Sequence, residues 1–404
     1  MKNYYFLLLL IHSLLIQDIK AQEKPYVILV SFDGFRWDYC NNTPTPTFDS
    51  IARNGVKAES LKPSFPTKTF PNHYTIATGL YPDHSGIVHN SFYDPKRKEI
   101  YKVSDRTKVQ DGYFYNGTPI WNLAESQGVK SASFFWVGSE ANIQNKQASY
   151  WKKYEHNFPF KQRVDTVIKW LKLPEKERPH LILLYFHEPD SYGHKYGPES
   201  RELKNKIQYL DSILGYLTLS LSKIEYKDKI NLIVSSDHGM SAVSDQRKVI
   251  LSDYLKDEWL IRILGGNPNF NLSYKKEFKD SVINALEKIE HIQFWKRKNI
   301  PKHLHYGTNK RIGDISIVAD SSWSIVLNKT DSINYKGAHG YDNENLDMHA
   351  IFYASGPAFK NDFIAPMLLN IDIYPLIANI LNLKIGKIDG DLNRIKGVLQ
   401  ERQK

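Results

Sequence analysis

The chain has 404 residues, of which 41% are hydrophobic and 24% charged, and its formal net charge is +10. That composition excludes an intrinsically disordered or fibrous protein, and the length suits one large unit carrying an insertion. The lysines lie scattered among acids, which argues against a nucleic-acid-binding tract, and one cysteine, Cys40, excludes a disulfide framework within the chain.

In chain order, residues 1–21 read as a secretory signal peptide. Lys2 supplies its positive start, residues 4–16 are mostly apolar, and Ala21 suits cleavage before Gln22. The apolar stretch is too short for a membrane span, and no later segment qualifies. We therefore expect a periplasmic or secreted protein, with its mature domain over residues 22–404. The single cysteine in an exported chain of this size favours a bacterial source.

Five apolar runs follow that suit strands buried on both faces: YVILVSF (26–32), SASFFWV (131–137), LILLYF (181–186), INLIVSS (230–236) and HAIFYAS (349–355). Helical patterns lie between them. The clearest has Leu203, Ile207, Leu210, Leu214, Leu217 and Leu221 at spacings of three and four. Strands alternating with helices predict an α/β fold with a mostly parallel central sheet and helices on both faces. Between about 250 and 333 the pattern changes. Gly265, Gly266 and Pro268 interrupt the chain, a helix follows through Phe278, Val282, Leu286 and Ile289, and ISIV (315–318) reads as a strand. This stretch is expected to be an inserted α/β subdomain.

In open α/β sheets, ligands bind beyond the carboxyl ends of the strands. Four stretches deliver acids and histidines there: Asp33 after the first strand, Asp190 and His194 after the third, Asp237 and His238 after the fourth, and His339 in a glycine-flanked loop before the last. Three carboxylates and three imidazoles aimed at one rim suit zinc or a similar divalent cation. Six such ligands exceed one tetrahedral ion but suit two that share a hydroxyl. The run PSFPTKTFPNHYTIATGLYP (63–82) offers that hydroxyl at Thr69. Prolines on both sides of Thr67, Lys68 and Thr69 restrict the backbone, so we expect a rigid loop in place of an ordinary helix or central strand. Metal coordination would activate a threonine alcohol that is otherwise a poor nucleophile.

With these residues in view, the chain resembles the nucleotide pyrophosphatase/phosphodiesterases of the alkaline phosphatase superfamily. The matching stretches are SFDGFRWDY, PTKTFPNHYTIATGLYPDHSGIVHNSFYDP, PIWNLAESQG, FFWVGSE, LPEKERPHLILLYFHEPDSYGHKYGP, SSDHGM and GAHGYDN. They run in family order over about residues 25–385. The resemblance implies an alkaline phosphatase-like fold in a bare catalytic domain. It makes Thr69 the nucleophile that becomes covalently nucleotidylated. One zinc ion would be held by Asp190, His194 and His339, and a second by Asp33, Asp237, His238 and Thr69. Asn90 would donate to a phosphoryl oxygen, and Phe70, Trp136 and Tyr154 would line a nucleobase slot.

Glu140 stands where relatives often carry Asp, and Lys108 sits one residue away from the expected spacing, so neither receives a role from the resemblance. The C/S-x-P-x-R motif of sulfatases is absent, since Cys40 stands in CNNTP. Phosphomonoesterases of the superfamily use a serine nucleophile with an arginine on the phosphate, and no arginine lies near Thr69 in sequence. The implied activity is hydrolysis of nucleotide pyrophosphate and phosphodiester bonds, releasing nucleoside 5′-monophosphates from nucleoside triphosphates, dinucleotides or nucleotide sugars. Neither a stable nucleic-acid partner nor a membrane span is expected. The competing readings are a choline-lipid headgroup phosphodiesterase and a non-catalytic protein that binds phosphate-bearing ligands.

Overall fold

A computed structural model describes residues 24–401, so the leader read at residues 1–21 lies outside the described residues. Eight strands form the central sheet. In chain order they are β1 (Tyr26–Phe32), β2 (Gly55–Ala58), β3 (Ser131–Phe134), β4 (Tyr150–Lys152), β5 (Leu181–Phe186), β6 (Ile230–Ser235), β7 (Phe352–Ser355) and β8 (Phe363–Ala365). Across the sheet they run β8-β2-β7-β6-β1-β5-β3-β4. The middle strands β1, β5 and β6 are buried at every residue, as unbroken aliphatic runs require when both faces are covered.

The central pairings are parallel, with Leu29 opposite Leu183 on one side and Ile233 on the other. β7 is the exception. It runs antiparallel to both β6 and β2, with Phe352 opposite Ser235. Its start therefore lies at the rim where the parallel strands end, which carries the His339 loop to that rim. The short strands β2, β4 and β8 lacked any clear apolar run in the sequence.

The 21-residue helix Arg201–Leu221 follows the expected stripe, and all six apolar residues of that stripe are buried. Ser200 caps it by accepting from the Leu203 amide at 3.2 Å. One acid interrupts the buried face. Asp211 accepts from the backbone amides of Thr47 and Phe48, each at 3.0 Å. These amides open the helix Pro46–Arg53, whose preceding residue Thr45 makes no side-chain cap of its own. A carboxylate 164 residues away thus serves as the cap.

Residues 260–319 build a second, four-stranded antiparallel sheet with its own apolar cluster, including Leu272, Val282, Leu286, Ile315 and Ile317. Gly265 and Gly266, read from the sequence as interruptions, end the strand Leu260–Gly266 of a hairpin, and Pro268 sits in its turn. Asp83 ties this region to the main body, accepting from the amides of Gly307, Thr308 and Asn309 at 2.8–3.1 Å. Among the described residues, no helix is long and apolar enough to cross a membrane.

Replacing the remote cap, Asp211→Ala, strands two helix-start amides and is expected to destabilise the protein by about 1–3 kcal/mol. Asp211→Asn keeps an acceptor and should lose less. Chemical-denaturation midpoints of the two variants check this, and an unchanged midpoint for Asp211→Ala would refute the capping role.

Candidate active site

Thr69 does not sit in a loop. It is the first residue of the helix Thr69–Thr78, preceded by Lys68 in extended conformation (φ −120°, ψ 152°). The expectation of a non-helical run fails because Pro71 falls within the first helical turn, where a missing N–H costs nothing. The prolines shape the entry to the helix, and Thr69 stands at its electropositive end.

That entry is pinned from several sides. Asn72 donates to the carbonyls of Pro66 and Lys68 and accepts from the Ser64 amide. The Thr67 hydroxyl donates to the Tyr341 carbonyl at 3.0 Å and accepts from the Gly340 amide at 2.9 Å. Lys68 is buried, and its ammonium donates to the carbonyls of His339 at 2.6 Å and Asn267 at 2.7 Å. Burial lowers its pKa to about 7, against the opposing pull of the Asp190 carboxylate. The entry to the Thr69 helix, the His339 loop and the tip of the second sheet's hairpin are therefore locked together.

All six predicted acids and imidazoles converge at the rim. Asp190 Oδ1 lies 3.4 Å from His194 Nε2 and 3.6 Å from His339 Nε2. His238 Nε2 lies 3.0 Å from Asp237 Oδ2 and 3.5 Å from Asp33 Oδ1. Each imidazole is oriented through its other nitrogen. Nδ1 of His194 faces the Gly337 carbonyl at 2.7 Å, that of His238 the Gly239 carbonyl at 2.9 Å, and that of His339 the Thr67 carbonyl at 2.8 Å. With Nδ1 as donor, Nε2 presents a lone pair to the cluster, the arrangement seen for metal-binding histidines.

The electrostatics fit a cation. Asp33 Oδ1, Asp190 Oδ1 and Asp237 Oδ2 are buried atoms with no hydrogen-bond partner. Buried carboxylate oxygens left in this way are costly unless a metal or a donor satisfies them. Burial, then the Asp237 and Asp190 carboxylates, push the Asp33 pKa well above 3.8. Burial also disfavours charge on Asp237, yet His238 and His73 hold it well below the usual carboxylate range. The ligand atoms form two overlapping groups, Asp190–His238–His339 and Asp33–Asp237–His238, each with all atoms within 4.8 Å of one another. His194 adjoins the first group through Asp190. A mixed set of imidazole and carboxylate donors suits zinc or a similar divalent ion.

The Thr69 hydroxyl lies 3.2 Å from His238 Nε2 and so faces the cluster. Asn90 Oδ1 accepts from the Phe70 amide at 3.1 Å, which leaves the Asn90 side-chain NH₂ free to donate beside the helix start.

An aromatic cavity opens next to Thr69, with Phe70, Phe135, Trp136, Tyr154 and Tyr185 in its walls. Trp136 is buried, and its indole N–H donates to the His73 carbonyl at 3.0 Å. It shapes the wall, whereas Phe70 and Tyr154 are partly exposed rings. Tyr185 links cavity and cluster by donating to Asp33 Oδ2 at 2.6 Å. Lys108 pairs with Glu99 at 2.6 Å and does not line the cavity; Arg106 does, in an ion pair with Glu140.

Sequence reasoning missed Lys68, His73, Tyr185 and Arg106 as parts of this site. His73 is buried, 2.8 Å from the Ser31 hydroxyl and 3.3 Å from Asp237. Its position four residues after Thr69, on one helical face, was the available signal. Tyr185 closes an apolar strand and nothing local distinguishes it from core.

Comparison with known proteins places the chain among relatives. Residues 27–342 match the type I phosphodiesterase / nucleotide pyrophosphatase family. Human ectonucleotide pyrophosphatase/phosphodiesterase family member 5 is 37% identical over 93% of this chain and 78% of its own length. Human family member 1 is 36% identical over 94% of this chain and a venom phosphodiesterase of Crotalus durissus collilineatus likewise, but the match spans only 42% and 47% of those longer proteins. The solved structure of an inactive variant of murine ectonucleotide pyrophosphatase/phosphodiesterase 5, in complex with AMP, superposes with a TM-score of 0.89 at 36% identity, covering 93% of this chain and all of that one. With its cation-ready rim, its threonine at a helix start and these relatives, the chain belongs to the type I phosphodiesterase / nucleotide pyrophosphatase family.

Proposed function

We propose that this protein is a secreted or periplasmic zinc hydrolase that cleaves nucleotide pyrophosphate and phosphodiester bonds and releases nucleoside 5′-monophosphates. The observation that carries the reading is the Thr69 hydroxyl, held at a helix start 3.2 Å from His238 and facing unpartnered buried carboxylates. In this reading residues 1–21 direct export and residues 22–404 form the catalytic unit, with about 250–333 as its inserted subdomain.

Asp190, His194 and His339 would hold one zinc ion, and Asp33, Asp237, His238 and Thr69 the other. Bound there, the two ions would supply stabilisation of a threonine alkoxide and of charge on the phosphoryl oxygens. Thr69 Oγ1 attacks the α-phosphorus of the nucleotide as its hydroxyl proton passes to solvent, and the bond from phosphorus to the leaving phosphate or alkoxide oxygen breaks. Asn90 donates its NH₂ to a non-bridging oxygen, and the electropositive helix start favours the added negative charge. Water then displaces Thr69 from phosphorus, and the nucleoside 5′-monophosphate leaves. Phe70 and Tyr154 clasp the base, with Trp136 setting the shape of the slot. The rigid entry before Thr69 supports this chemistry because the nucleophile needs no reorganisation at the moment of attack.

Thr69→Ala should keep the fold and most of the bound zinc while losing turnover by at least about 10³-fold, and Thr69→Ser should recover part of it. With a chiral phosphorothioate diester, two in-line displacements give net retention at phosphorus; inversion would exclude the threonyl intermediate.

Metal content provides a separate check. Chelation should abolish hydrolysis and zinc should restore it, with two ions per chain by elemental analysis, and His339→Ala should lose one. Because Asp33, Asp190 and Asp237 repel one another without a cation, Asp33→Asn should raise the melting temperature of chelated protein and lower that of zinc-loaded protein. A shift of the same sign in both would contradict a cation site.

Tyr154→Ala should lower kcat/KM for ATP by about 5- to 150-fold, the worth of one stacking partner at 1–3 kcal/mol, and spare bis-p-nitrophenyl phosphate. Equal losses would make Tyr154 structural. Preferential cleavage of glycerophosphocholine by the unaltered protein would move the assignment to a lipid-headgroup phosphodiesterase.

A further inference from the structure

Part of the wall of the aromatic cavity, at Arg106 and Glu140, is polar, and its hydrogen-bonding capacity is lopsided. The Glu140 side chain is only 6% exposed and accepts four hydrogen bonds. Oε1 takes Arg106 Nη2 and the Tyr154 amide at 2.9 Å, while Oε2 takes Arg106 Nη2 and Gln110 Nε2 at 3.0 Å. A carboxylate offers about four lone-pair sites, so Glu140 has none left for a ligand.

The protons of the other polar side chains of the wall are committed as well. Tyr185 donates to Asp33, Trp136 to the His73 carbonyl, and the Tyr154 hydroxyl meets His156 at 3.0 Å. Arg106 differs. Among the described residues, only its Nη2 is hydrogen-bonded, and Nε and Nη1 have no acceptor. Its guanidinium carbon lies 5.7 Å from the centre of the Tyr154 ring, so those N–H groups stand beside the stacking surface. A guanidinium donates and never accepts.

We propose that Arg106 selects keto bases, giving guanine and uracil nucleotides an advantage over adenine and cytosine nucleotides of the same size. Guanine presents O6 and N7, and uracil O4, as acceptors to a donor-only group. Adenine, which shares N7 but not O6, and cytosine present an exocyclic amine there, and the one carboxylate of the wall, Glu140, is saturated. Glu140 acts as a positioning residue: it fixes the Arg106 guanidinium and, through the Tyr154 amide, the stacking ring. This inference rests on the nucleotide reading of the site and adds the base preference to it.

The test compares kcat/KM of the zinc-loaded protein for GTP with ATP and for UTP with CTP, which matches ring size within each pair. Each ratio should favour the keto base by about tenfold, as one hydrogen bond to a charged donor on a part-exposed residue allows. In Arg106→Met both ratios should fall to near one, chiefly through loss on GTP and UTP, and Arg106→Lys should retain part of the preference. Because Arg106→Met leaves the Glu140 charge unpaired, the double variant Arg106→Met, Glu140→Gln is the companion and should show the same loss of preference. Calorimetric Kd values of GMP and AMP for zinc-loaded Thr69→Ala protein should show the same tenfold order without turnover.

Equal rates on all four nucleotides in the unaltered protein would overturn the assignment, as would an equal fall on all four in the variants. In either case cleavage persists and the nucleotide reading stands. Failure to cleave any of the four and to bind either monophosphate would overturn that reading itself.

Discussion

Three carboxylates crowd one end of a sheet, each with a buried oxygen that has lost its water, and the architecture of this protein is organised around that constraint. Asp33, Asp190 and Asp237 each leave an oxygen without a hydrogen-bond partner. Such a cluster is tolerable only beside positive charge. His238 meets Asp33 and Asp237 through Nε2, and a divalent cation would supply the positive charge. The three imidazoles are turned toward the acids by backbone carbonyls, so their direction is set by the main chain. The fold therefore holds a cation-binding geometry whose cost the aliphatic core offsets, since the central strands behind it are wholly buried.

The nucleophile candidate is held by the same logic of fixed main chain. Lys68 reaches the carbonyls of His339 and Asn267, and Thr67 bonds to Tyr341 and Gly340. Thr69 thereby keeps a constant relation to the His339 loop, although 270 residues of chain separate them. The second sheet contributes through its hairpin tip at Asn267, which gives that peripheral region a direct hold on the rim. Tyr185 joins the cluster to the aromatic cavity, so the Asp33 carboxylate and the cavity wall share one hydrogen bond.

The antiparallel strand β7 explains why one rim histidine escapes the usual rule that functional residues follow parallel strands. His339 precedes its strand and still reaches the rim, because that strand points the other way. The strands beyond it, β2 and the edge strand β8, are short and lack a strong apolar signature. Their pairing follows from β7, which offers β2 its free edge.

The sequence by itself determined the buried strands, the long helix and the six acids and imidazoles that meet at the rim, because runs of apolar residues and acids at strand ends are local signals. It also singled out Thr69, although it misjudged the surrounding backbone, since Pro71 is compatible with a first helical turn. Only the tertiary structure decided the roles of Lys68, His73, Tyr185 and the Arg106–Glu140 pair. Each is an ordinary polar or core residue until its partner is known, and the partners of Lys68 are 199 and 271 residues away. A buried polar group takes its meaning from whatever donor or acceptor the fold sets beside it, and no periodicity along the chain encodes that neighbour.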